Sequence, residues 1–154
     1  MAVPLDFTTL AQFIAAVFDE RLFWTLAVTY LVTHIIKAFV YHFETGRWSM
    51  MPFWATGGMP SSHTAITVAL TAAVAYETAV SPLFFACVIF SLIVIRDSMG
   101  VRASVGEQAK VLNALSSRLK LKKKVQIVLG HTPFQVAVGF AVGLAVATAV
   151  YTLV

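Results

Sequence analysis

Apolar residues dominate four stretches of the chain: Leu22 to about Phe43, about Ser62 to Ala79, Leu83 to Ile95 and slightly beyond, and Pro133 to Val154. None alternates with a period of two, so they read as helices rather than barrel strands. At 1.5 Å per residue such runs reach across about 30 Å of hydrocarbon, and four spans are predicted over 22–43, 62–79, 83–97 and 133–154. A tight turn at Ser81-Pro82 makes the second and third spans a helical hairpin. The stretch Asp6 to Phe18 is shorter and amphipathic, with Leu10, Ile14, Val17 and Phe18 opposite Thr8, Thr9 and Gln12, and with Asp6 as its N-cap. It predicts an interfacial helix, a re-entrant or fifth spanning helix being the alternative. Residues 102–130 form the one long hydrophilic stretch, predicted as a loop carrying a surface helix or two. The fold expected for 1–154 is therefore a single all-α integral membrane bundle.

Composition narrows the class further. With 59% hydrophobic and only 12% charged residues, and a mean hydropathy of +0.84, the chain has too little polar surface to enclose a water-soluble core. Nucleic acid is excluded as a partner on the same ground, whereas the basic run Arg118 to Lys124 fits anionic lipid headgroups. The single cysteine, Cys87, lies in an apolar run and reads as inert packing. Met1 to Asp19 holds no Lys or Arg, so no cleaved signal peptide is expected. Gly139 and Gly143 form a Gly-xxx-Gly pair that suits either a homodimer face or packing within the chain.

Counting crossings places the end of the first span, the start of the second, the end of the third and the start of the fourth on one side of the membrane. That side collects Lys37, Arg47, Arg96 and Arg102, together with His63 and His131, each near the start of a helix. Polar residues are expensive at membrane depth, so their convergence from four helices signals a site. Helix N-termini, cations and the flexible Gly57-Gly58 backbone suit a phosphate, and two histidines can act as nucleophile and acid. Taken singly, Lys37 could merely snorkel, Arg47 and Arg96 could be interfacial anchors, and Ser61 or Ser62 could be helix caps. His34 and His42 lack such company and read as structural. No zinc, calcium or nucleotide-loop spacing is present, so no metal or other cofactor is expected.

Gly57-Gly58-Met59-Pro60-Ser61-Ser62-His63, then Asp97-Ser98-Met99-Gly100-Val101-Arg102 with Gly106-Glu107-Gln108-Ala109 and Asn113, then Gly130-His131-Thr132-Pro133, resemble the divergent branch of the phosphatidic acid phosphatase type 2 superfamily, which is related to vanadium haloperoxidases. The resemblance spans roughly Leu31 to Gly143. It implies a phosphatase acting on a lipid phosphate or isoprenoid diphosphate through a phosphohistidine. By its motifs His131 would be the nucleophile and His63 the acid for the leaving group. Lys37, Arg102, Ser61, Ser62 and Gly58 would bind phosphate, with Arg47 in place of a motif arginine. The superfamily has an acid four residues after the nucleophile; here that position is Gln135, which can orient an imidazole but brings no charge. Asp97 is the candidate substitute. Gln135 also leaves room for a rival, a lipid-phosphate binding or transport protein with weak or no turnover.

The stretch after the third span holds Arg102, Lys110, Arg118, Lys120, Lys122, Lys123 and Lys124 against the single acid Glu107, while the opposite face offers almost only Arg21. The positive-inside rule therefore places this stretch and the site in the cytoplasm. A cysteine at Ser117 should resist an impermeant thiol reagent in intact cells and react once the membrane is opened; labelling in intact cells reverses the orientation.

Overall fold

The computed structural model describes residues 9–49, 57–121, 124–125, 127 and 130–153. Six α-helices follow in order: α1 (Leu10–Asp19), α2 (Arg21–Thr45), α3 (Ser62–Thr78), α4 (Pro82–Met99), α5 (Val101–Arg118) and α6 (Pro133–Leu153). No strand occurs among the described residues. Asp6, Trp54, Lys122 and Lys123 lie outside them.

Local chemistry sets the helix ends. Thr9 caps α1 in a reciprocal box with Gln12, so the helix begins after the Asp6 expected from sequence. One residue, Glu20, separates α1 from α2, and the Trp24 indole N–H donates to the Phe18 carbonyl at 2.7 Å to hold the corner. α2 stops at Gly46, whose φ of 69° is left-handed. Ser61 and Ser81 cap α3 and α4, and Pro82 takes the first turn of α4, where no N–H is needed. Leu10, Ile14 and Phe18 of α1 are all exposed on one stripe.

Two boundaries differ from the sequence reading. α4 runs on to Met99, and after the single residue Gly100 the chain coils again as α5, so most of the expected loop is one helix of 18 residues. Gly100 keeps right-handed geometry and its N–H bonds the Arg96 carbonyl at 2.8 Å, so nothing local forces a loop. Among the described residues three helices are long and apolar enough to cross a membrane: α2, α4 with its α5 extension, and α6. α3, with 17 residues, falls just short of that length and lies between the others, packed against α2, α4 and α6.

Polarity is inverted relative to a water-soluble bundle. The face α2 buries carries Thr25, Thr29, Thr33, His34 and Lys37, whereas Leu31, Ile35 and Phe39 point outward. Each threonine hydroxyl donates to the carbonyl four residues earlier, at 2.9, 2.6 and 2.6 Å, so burial orphans none of the three. The apolar core is small: Ala65, Val68, Ala69, Ala73 and Val74 of α3, with Ala147 of α6. Lipid is as apolar as leucine, so close approach of small residues drives the packing. α6 supplies it through Gly139 and Gly143, both buried. A Cβ on Gly139 would stand 2.5 Å from the Ser61 carbonyl oxygen, and one on Gly143 would overlap that of Ala65. The glycine pair thus serves a contact within the chain, and α3 occupies the face a homodimer would use.

Gly143→Val should therefore force the α3 and α6 backbones apart, costing about 1–3 kcal/mol or more, and lower the unfolding temperature in detergent. Ala141→Val, on the exposed side of α6, should leave it unchanged.

Candidate functional site

The four helix ends expected on one side do meet, and backbone hydrogen bonds join them. Ser61 N–H donates to the Gln135 carbonyl at 3.0 Å, tying the start of α3 to α6. His131 N–H donates to the Ser98 carbonyl at 2.9 Å, tying the approach to α6 to the end of α4. The Lys37 ammonium, buried in α2, donates to the Ser62 hydroxyl at 3.2 Å. Three motifs far apart in sequence thereby converge.

At the centre stand His63 and His131, their ring centroids 5.8 Å apart. The Nδ1 of His63 is buried and makes no hydrogen bond in the structure. The setting of His131 is fuller. Gln135 Oε1 accepts from the Thr132 N–H at 3.1 Å, and Thr132 Oγ1 accepts from the Gln135 N–H at 3.3 Å, a reciprocal box around the first turn of α6. Because Oε1 already faces a backbone donor it is the amide oxygen, and it lies 3.2 Å from His131 Nδ1. An oxygen only accepts, so Nδ1 donates this bond, and in the neutral ring the proton sits on Nδ1 rather than Nε2. Gln135 thus orients the ring without charge. Burial above all, with Lys37 and Arg102 adding to it, lowers the His131 pKa from the ordinary 6.5, against the opposing hydrogen bonds of Gln135 and the Gly58 backbone.

The remaining candidates divide. Arg102 bonds Asp97 through Nε at 3.2 Å, so Asp97 serves the arginine, and Gln135 alone fills the orienting position beside His131. Ser61 is fully buried, and its oxygen accepts from both the N–H and the hydroxyl of Thr64, leaving its own proton to donate. Gly57 and Gly58, with φ of 100° and 79°, occupy conformations that side chains resist. Arg47 and Arg96 are exposed, in contrast to the buried Lys37 and the half-buried Arg102. His34 bonds the Tyr30 carbonyl at 2.8 Å and His42 stacks on Trp48, in keeping with structural roles.

Three of the quoted motif residues have structural roles that the sequence reading did not assign. Thr132 acts as the cap that shares Gln135, and the Thr-x-x-Gln spacing was the available signal. Asn113 clamps Val125 with two hydrogen bonds of 2.8 Å, folding the chain after α5 back towards the site. Gly130 lies so close to Ala103 that a Cβ would sit 2.7 Å from it. Here a cavity of about 550 Å³ opens between the first turns of α5 and residues 130–132, with Glu107 and His131 in its wall. A second, apolar cavity of about 520 Å³ lies lower, between α3, α4 and α6, lined by Val68, Ala72, Tyr76, Val88, Ile95 and Phe140 among others.

Residues 18–146 match the family described as the divergent PAP2 family. The chain belongs to that family. It is 37% identical to an uncharacterized membrane protein of Bacillus subtilis, YuiD, over 63% of this chain and 71% of the relative. No solved structure gives a significant match. The family match takes in every candidate residue named above, and with the apolar helices it makes the chain an integral membrane protein.

In a histidine-resolved NMR titration, His131 should show the Nδ1–H tautomer and a midpoint below 6.5. Gln135→Glu keeps the box but adds a negative charge, which favours the imidazolium, so its midpoint should move up. A midpoint that stays put would mean that Gln135 does not face His131.

Proposed function

We propose that this protein is a membrane-embedded phosphatase that hydrolyses a lipid phosphate or isoprenoid diphosphate through a phosphohistidine, without a metal ion. The observation that carries the reading is the pair of imidazoles 5.8 Å apart, one with a set tautomer, beside the buried Lys37 and the half-buried Arg102. Nε2 of His131 attacks phosphorus in line as the bond to the leaving oxygen breaks, and protonated His63 gives that oxygen its proton. Water then gives a proton to His63 and attacks phosphorus. The P–N bond breaks, its electron pair returns to Nε2, and inorganic phosphate leaves.

Lys37 and Arg102 neutralise the non-bridging oxygens, and the hydroxyl protons of Ser61 and Ser62 point charge-assisted bonds at them. Gly57 and Gly58 let the backbone approach an oxyanion closely. The apolar cavity between α3, α4 and α6 suits a hydrocarbon tail whose headgroup sits at the histidines. In this reading α3 is the fourth crossing, about 25 Å long, and the site faces the cytoplasm. Gln135 favours a second reading, lipid-phosphate binding or transport, because a neutral amide stabilises the imidazolium formed during attack less than a carboxylate does.

Phosphate release decides between them. Purified protein in detergent, given a panel of lipid phosphates and isoprenoid diphosphates, should release phosphate, and His131→Ala should reduce release by about a thousandfold or more. Release from no substrate, or undiminished release from the variant, overturns the phosphatase.

A further inference from the structure

α5 presents a second surface. Val101, Val105, Leu112 and Leu115 recur at spacings of four, seven and three residues, which sets them on one stripe, and Leu119 continues it just past the helix. All five are exposed, Val101 at 62% and Leu119 at 69%. A neighbouring side of α5 is the one that packs: Gly106 and Ala109 are buried, and Asn113 holds Val125. Stripe and packed side are therefore distinct.

Charge lies alongside the apolar stripe. Lys110 is neutralised by Glu107 at 2.7 Å, whereas Arg118, Lys120 and Lys124 are exposed and paired with no carboxylate among the described residues. α5 also leaves the end of α4, a helix apolar enough to cross the membrane, after the single residue Gly100. The stripe thus starts at the depth where the bilayer meets water. An exposed apolar stripe edged by free cations is the pattern of a helix lying in an anionic interface, apolar face down and cations among the headgroups.

We infer that α5 and the basic residues after it form a docking surface for anionic lipid headgroups of the protein's own membrane. The inference does not depend on the phosphatase reading, but it bears on the site. The first turns of α5 wall the cavity that contains His131, so bilayer docking of the helix sets the position of that wall.

The test uses the full-length chain with Cys87→Ala and a single fluorophore on Leu112→Cys, or separately on Leu115→Cys, reconstituted one copy per nanodisc. In discs containing phosphatidylglycerol, a lipid-borne spin label should quench the fluorophore about threefold more than in pure phosphatidylcholine, and raised salt should remove the difference. Neutralising Arg118, Lys120 and Lys124 together to Gln should abolish it as well. The same fluorophore on Ser117→Cys, across the helix, should be quenched little in either bilayer. Equal quenching at Leu112 in both bilayers, or none, overturns the inference. So does shielding of the stripe that appears only with two copies per disc, which would identify a second copy of the chain as its occupant.

Discussion

Where α6 lies against α3, glycine at 139 and 143 removes the side chains that would hold the two backbones apart. This close contact brings the Gln135 carbonyl to the Ser61 N–H, and with it the first turn of α6 to the first turn of α3. His63 sits on the first turn of α3 and His131 just before that of α6, so their separation follows from how near two glycines let two helices come. The site inherits its geometry from a packing contact a turn or more below it. Because hydrocarbon exerts no hydrophobic pressure between helices, van der Waals fit and internal hydrogen bonds must maintain that contact.

The same environment explains why polar residues are stacked inside. A hydroxyl facing lipid would lack a partner, while one turned inward can bond its own helix, as Thr25, Thr29 and Thr33 do. Their stripe leads to Lys37, whose ammonium is buried and reaches Ser62. Deep burial of a cation is unfavourable by itself. In the proposed phosphatase it would become useful, because the dry surroundings that destabilise the charge would also strengthen its pull on phosphate.

Gln135 shows how one substitution divides a role in two. A carboxylate at this position would both orient the His131 imidazole and stabilise its positive form, and the amide retains the first task only. It does so while completing the cap of α6 with Thr132, so the helix start and the histidine tautomer depend on one oxygen atom. Asp97 leaves the second task unfilled, because it is engaged with Arg102.

Much of the architecture was legible in one dimension. Run length and hydropathy implied membrane helices, Ser61, Ser81 and Pro82 marked helix starts, and the order of three short motifs pointed to the family, because these properties reside in neighbouring residues. The sequence also grouped His63, His131, Lys37 and Arg102 correctly at one end of the bundle, since counting crossings needs no coordinates. Tertiary structure decided what depends on partners distant in the chain. Only packing could show that Asp97 faces Arg102, that Arg47 and Arg96 stay outside, and that Gly139 and Gly143 meet α3. A residue's type states which bonds it is able to make, and the fold alone determines which atoms come within reach.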